Sequence, residues 1–189
     1  MGEIIRSIRQ KPVIAALRGE QLLEAALAST VSTVFYLHAD IFRLGELTEK
    51  ARERGKIAFF HLEFIDGLGR DGAAVQYLSK TARPDGVITT RVNSVKEAKD
   101  AGLFAVQRFF MVDRQSYDTA VKNIEIARPD MIELMPGIIP QIIRQMASDT
   151  NIPVIAGGLV TTKEEAFLAL QAGAAAVSTG TQDLWNMYK

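Results

Sequence analysis

At 189 residues and 48% hydrophobic side chains, the chain can bury one substantial core, and we read residues 1–189 as a single domain. Its 22 basic and 22 acidic residues cancel, so no global field draws in nucleic acid, although a local patch can still form. The absence of cysteine excludes a disulfide framework, thiolate catalysis and cysteine-ligated metal, and accords with a reducing cytosol.

The N-terminal segment sets Ile4, Ile5 and Ile8 beside Arg6, Arg9 and Lys11, the pattern of a short amphipathic helix. It is short and only mildly basic for a membrane surface or RNA, so its expected place is across the bottom of the fold. It lacks a secretory h-region, and no apolar run approaches ~20 residues. The expectation is a soluble cytoplasmic protein with no membrane partner.

Short apolar runs then recur, and each reads as a strand: Val13–Leu17, 33–38, 57–64, 86–90, 104–112, Met131–Met135, 153–156 and 175–178. Helical patterns separate them. The first spans 20–28; the second spans 41–54, with Ile41, Leu44, Leu47 and Ala51 on one face and Gly55 as its stop. Strands alternating with helices predict an α/β fold, a (β/α)8 barrel of the TIM type with parallel strands. Such barrels typically need ~250 residues, so loops and helices here must be economical.

Two echoes support the repeating unit. Ala82-Arg83-Pro84-Asp85 and Ala127-Arg128-Pro129-Asp130 each introduce a strand. Ser94 with Glu97 and Thr162 with Glu165 have the spacing of capping boxes, and Gly102 and Gly173 close the helices that follow. Convergent punctuation explains such echoes as well as duplication does.

The stretch 153–181 is the most suggestive. Its strands end in Gly157-Gly158 and in Ser178-Thr179-Gly180-Thr181, presenting backbone N–H groups and threonine hydroxyls at the same ends of neighbouring parallel strands. Barrels of this type usually hold phosphate on the loops after their last two strands. Gly157, Gly158, Thr179, Gly180 and Thr181 are therefore the expected phosphate-binding residues.

Side chains alternate along a strand, which sorts lumen from helix-facing positions. This parsing places His61 and Glu63, Thr89 and Arg91, Arg108, and Glu133 on lumen faces, with Arg18 closing the first strand. Buried charges must be paired or bind something. One reading is a ligand site at the C-terminal mouth; the other is pairs that fill the core, such as Arg108 with Glu133. His61 and Glu63 could also serve as an acid/base pair, which keeps open an isomerase or lyase on a small phosphorylated metabolite with Glu133 as partner. No lysine lies in a strand, which argues against Schiff-base chemistry. His38, His61, Asp40 and Glu63 lack a diagnostic metal spacing, and neither a dinucleotide nor a P-loop fingerprint is present.

Several segments carry a resemblance: PVIAAL at 12–17, HLEFIDGLGRDGAAV at 61–75, PDGVITTR at 84–91, VQRFFMVD at 106–113, PDMIELMPGIIP at 129–140, IPVIAGGLV at 152–160 and AVSTGTQDLW at 176–185. In order and spacing, nearly the whole chain resembles the glycerol uptake operon antiterminator family. The resemblance implies a (β/α)8-like barrel that senses glycerol 3-phosphate and acts on leader mRNA, preventing transcription termination ahead of glycerol-utilisation genes. It implies a regulator rather than an enzyme, with no catalytic residue, cofactor or metal. The effector phosphate would rest on the two glycine turns, and Arg18, His61, Glu63, Arg91, Arg108 and Glu133 would read its other atoms or orient one another. Loops 66–71 and 136–140 would respond, altering an RNA surface or a homo-oligomer interface. The chain departs from the family's usual His-x-Asp at His61-Leu62-Glu63, from Ser-Thr-Lys at Thr89-Thr90-Arg91, from Gly-Asp at Ala39-Asp40 and from Ser-Thr-Ser at Ser178-Thr179-Gly180. The first two preserve charge but change hydrogen-bonding geometry.

Overall fold

A computed structural model describes residues 2–188. Eight parallel strands close into a barrel: β1 (Val13–Leu17), β2 (Thr33–Tyr36), β3 (Ile57–His61), β4 (Gly86–Thr89), β5 (Phe104–Phe110), β6 (Met131–Met135), β7 (Val154–Gly157) and β8 (Ala176–Thr179). Each strand pairs with its sequence neighbours, and β1 completes the circle by pairing Val13 with Val177 on β8. The helices are α1 (Gly2–Gln10), α2 (Leu23–Ala28), α3 (Leu44–Glu53), α4 (Gly72–Thr81), α5 (Val92–Asp100), α6 (Arg114–Ala127), α7 (Pro140–Asp149) and α8 (Lys163–Gln171). The expected economy is visible at both ends. The connection after β1 contains only the six-residue α2 and one 3-10 turn, and β8 is followed by the 3-10 segment Gln182–Asn186. Trp185 in that segment is 1% exposed and packs in the apolar layer around β1 and α2.

Strand alternation separates two kinds of core. Ile14, Ala16, Phe35, Phe59, Ile88, Phe104, Val106, Met131, Ile155 and Ala176 fill the lumen, and Ile8 of α1 joins them fully buried, with Ile4 and Ile5 against it. The N-terminal helix therefore seals the bottom of the barrel. The opposite strand faces pack against the helices.

The paired Ala-Arg-Pro-Asp segments have a common physical cause. Arg83 and Arg128 take left-handed backbone (φ +49° and +50°), and each aspartate caps the neighbouring strand. Asp85 Oδ2 accepts from Ala58 N at 2.8 Å and Asp130 Oδ2 from Ala105 N at 2.9 Å. Thr162 and Glu165 form the expected capping box, whereas Ser94 does not, because α5 opens two residues earlier with Arg91 as its N-cap. Helix α3 starts later than the apolar spacing predicts. Asp40 draws the intervening residues into a turn, its Oδ1 accepting from Phe42 N at 2.8 Å and its carbonyl from Arg43 N at 2.9 Å. Ala39–Asp40 also pairs with Ile65–Asp66, joining the loops after β2 and β3 into a small ladder beyond the barrel rim.

Candidate functional site

At the C-terminal mouth, a cavity of about 370 Å3 is lined by Arg18, Arg108, Glu133, Gly158, Thr161, Ser178, Thr179, Gly180 and Thr181 with a few apolar side chains. A larger, more open groove of about 530 Å3 lies at the other end, beside Arg9, Asn151 and Pro153. We place the site at the mouth, because that is where buried polar groups converge.

Strand register builds its floor. Arg108 on β5 stands opposite Glu133 on β6, and Ser178 on β8 is two strands further round. Glu133 is fully buried; its Oε2 accepts from Arg108 Nε at 2.6 Å and its Oε1 from Ser178 Oγ at 2.5 Å. Each of these bonds involves a charged group and is stronger than a neutral one. Gly157 makes room for them, since a Cβ there would fall 2.5 Å from Glu133 Oε1 and 2.7 Å from Ser178 Oγ. One nitrogen of Arg108, NH2, is buried without a hydrogen-bond partner. The Arg108 side chain also lines the cavity, so a guanidinium with spare donor capacity stands at its wall.

The walls are the loops after β7 and β8, joined through one side chain. Thr179 Oγ1 donates to Val160 O at 2.7 Å and accepts from Thr181 N at 3.1 Å. Thr179 O accepts from Trp185 Nε1 at 2.9 Å, which anchors the second loop to the core. The first loop turns at Gly158, whose φ of +72° suits glycine. Gly137 N donates to Gly157 O at 2.6 Å and to Gly158 O at 3.1 Å, so the loop after β6 rests on the same turn. Among the described residues, the amides of Gly158 and Gly180 donate to no protein acceptor.

The structure divides the residues that the sequence grouped together. Arg18, Arg108, Glu133, Gly158, Thr179, Gly180 and Thr181 meet at the cavity; Gly157 lies beneath it within β7. His61, Glu63 and Arg91 do not line it. His61 shares the Phe59 face and is 2% exposed, but β3 ends there, and a 3-10 turn over Leu62–Phe64 swings Glu63 sideways. Thr89 is on the outer face with Val87, the reverse of the lumen position expected from alternation. There its hydroxyl donates to Glu63 Oε1 and accepts from Arg91 N at 3.1 Å. Glu63 and Arg91 accordingly line a separate narrow cleft with Arg70 and Asp71. His61 Nδ1 lies 3.0 Å from Glu63 Oε2, within ion-pair distance but off the direction of an aligned hydrogen bond. Burial pushes the Glu63 carboxyl up, but the His61 contact and the Thr89 hydroxyl outweigh it and hold the group below the usual carboxylate range.

The sequence reading missed two features, the Ser178–Glu133 bond and the Trp185 anchor. Ser178 was legible in principle, since it shares parity with the lumen residue Ala176. Among the described residues, no group of three His, Asp or Glu side chains could hold a metal ion. No helix among them is long and apolar enough to cross a membrane.

Residues 13–185 match the family model described as glycerol-3-phosphate responsive antiterminator. The fold is similar to the glycerol uptake operon antiterminator regulatory protein from Listeria monocytogenes str. 4b F2365, with 35% identity, TM-score 0.89 and coverage of 93% of this chain and 95% of that one. It is also similar to a glycerol uptake operon antiterminator-related protein from Thermotoga maritima MSB8, with 34% identity, TM-score 0.82 and coverage of 93% and 98%. The uncharacterized protein YgcP of Escherichia coli (strain K12) is 32% identical over 186 residues, 98% of this chain and 97% of that protein. Aldolase barrels at 15% identity or below share the fold alone.

Proposed function

The chain belongs to the glycerol-3-phosphate responsive antiterminator family, and from that premise we propose that glycerol 3-phosphate binds in the mouth cavity and controls the protein's action on leader mRNA. The phosphate is held by the Gly158 and Gly180 amides and the Arg18 guanidinium, on loops that Thr179 ties together and Thr181 flanks. The glycerol end reaches Arg108. Glu133, both of whose oxygens are engaged, orients Arg108 rather than meeting the ligand. The observation that carries this reading is a cavity lined by two arginines, Arg18 and Arg108, and by the turns at Gly158 and Gly180, whose amides are uncommitted.

His61, Glu63 and Arg91 belong to the responding side. Binding shifts the population of loops 66–71 and 136–140. The protein acts as a sensor, not a catalyst. Its two candidate acid/base carboxylates are held, Glu133 by Arg108 and Ser178, and Glu63 by Thr89 and His61.

Calorimetry with glycerol 3-phosphate, with glycerol as the control lacking phosphate, tests the site. Heat and a thermal shift are expected for the phosphate ester alone, and both should disappear in Arg108→Met. At a hundredfold excess over Kd the ligand adds about 2.7 kcal/mol of stability. No heat and no shift with the wild type would remove the reading.

A further inference from the structure

Large apolar side chains stand exposed around the mouth, on four of the strand ends and loops that form it. Phe42 is 91% exposed, Phe64 51%, Phe110 56%, Val112 84% and Leu159 67%. They stand at or just after the C-terminal ends of β2, β3, β5 and β7, so they lie around the cavity at the C-terminal rim. Scattered apolar residues need no explanation, whereas a ring of them at one face marks an interaction surface.

The charges on the rim indicate what it receives. Arg18, Arg70 and Arg91 are exposed and, among the described residues, form no ion pair. The nearby carboxylates are engaged instead: Asp40 with Phe42 N, Asp66 with His38, Asp71 with Ala74 N and Asp113 with Ser116 N. Free cations interspersed with exposed aromatic rings suit a phosphate backbone with unstacked bases. Arg108 links this surface to the effector, because it lines the cavity and also an open depression of about 580 Å3 bordered by Phe110 and Val112.

We propose that the C-terminal rim is a platform for single-stranded RNA, with Phe42, Phe64 and Phe110 stacking on bases and Arg70 and Arg91 holding phosphates. The proposal rests on the antiterminator reading and adds the surface to it. Effector in the cavity and RNA on the rim then share one side chain, Arg108, and so influence one another.

The test is filter binding of the labelled leader transcript, with and without glycerol 3-phosphate, to the full-length wild type and to Phe42→Ala, Phe110→Ala and Arg70→Ala. Each is exposed and lies outside the cavity lining, so melting curves should be unchanged, as should glycerol 3-phosphate heats for the two phenylalanine variants. Each phenylalanine variant is expected to bind RNA at least about fivefold more weakly. Arg70→Ala should reduce the slope of log affinity against log salt by about 0.7. Photocrosslinking with 4-thiouridine transcripts should label peptides bearing Phe42, Phe64 or Phe110. If the wild type binds RNA and the variants bind it equally well, the platform is overturned and the antiterminator reading stands. If the wild type binds no leader RNA in either condition, both are overturned. If sedimentation shows self-association that Phe42→Ala abolishes, the rim is an interface between copies and the RNA assignment is overturned.

Discussion

Replacing Glu133 by glutamine isolates the charge at the floor of the site. The side chain is fully buried, and the two are nearly equal in volume. The amide still offers an oxygen to Arg108 Nε and an NH2 to Ser178 Oγ, so both hydrogen bonds at 2.6 and 2.5 Å have replacements. What disappears is the compensation for a guanidinium only 5% exposed. Breaking a buried pair by removing one partner costs about 3–5 kcal/mol, and the retained hydrogen bonds place Glu133→Gln at the lower end, about 3 kcal/mol. At about 2–4 °C per kcal/mol for a chain of this size, Tm should fall by about 6–12 °C in calorimetry at neutral pH. Adding Arg108→Met removes the stranded charge. The double variant should therefore melt above Glu133→Gln alone, giving a coupling of about 0.5–3 kcal/mol in a double-mutant cycle. A single variant within about 2 °C of wild type, or strictly additive losses, would refute the claim that this pair is coupled and depends on its charge.

Glu63 makes a prediction in pH. A carboxyl depressed in the folded state stabilises the fold above its unfolded pKa and loses that contribution as pH falls through the folded value. Glu63→Gln should melt below wild type at neutral pH, and the gap should narrow as pH falls below the ordinary carboxylate range towards the depressed folded value; a gap that does not change with pH would contradict the contacts with His61 and Thr89. Thr179→Val severs both loop bonds and should cost about 1–3 kcal/mol, with glycerol 3-phosphate affinity falling about tenfold by calorimetry and Thr179→Ser restoring most of it. Ile8→Ala leaves a void at the barrel floor. It should cost about 2–5 kcal/mol in denaturant melts while leaving ligand affinity at the wild-type value.

Much of the architecture was legible because strands and helices leave periodic traces. Ile14, Ala16, Phe35 and Phe59 face the lumen as alternation requires, and the turns at Gly158 and Gly180 stand side by side because β7 and β8 are neighbours. Periodicity failed where strands ended. The alternation that placed Glu63 beside His61 assumed a strand through residue 64, whereas the backbone turns into a 3-10 segment after His61. Thr89 was assigned to the lumen through Arg91, which lies beyond the strand and caps α5 instead. The rim was illegible for a related reason. Phe42, Phe64 and Phe110 are far apart in sequence and share no spacing, and only barrel closure brings their loops to one face.

Sealing the bottom with Ile4, Ile5 and Ile8 makes the lumen a blind pit. A small molecule in it has one way in and the same way out. Anything lying across the opening hinders arrival and escape alike, and this effect on the occupant's residence time adds to whatever coupling it has with the occupant's affinity. Exchange kinetics, followed with and without an occupant on the rim, therefore report on traffic through that opening even where binding isotherms overlay.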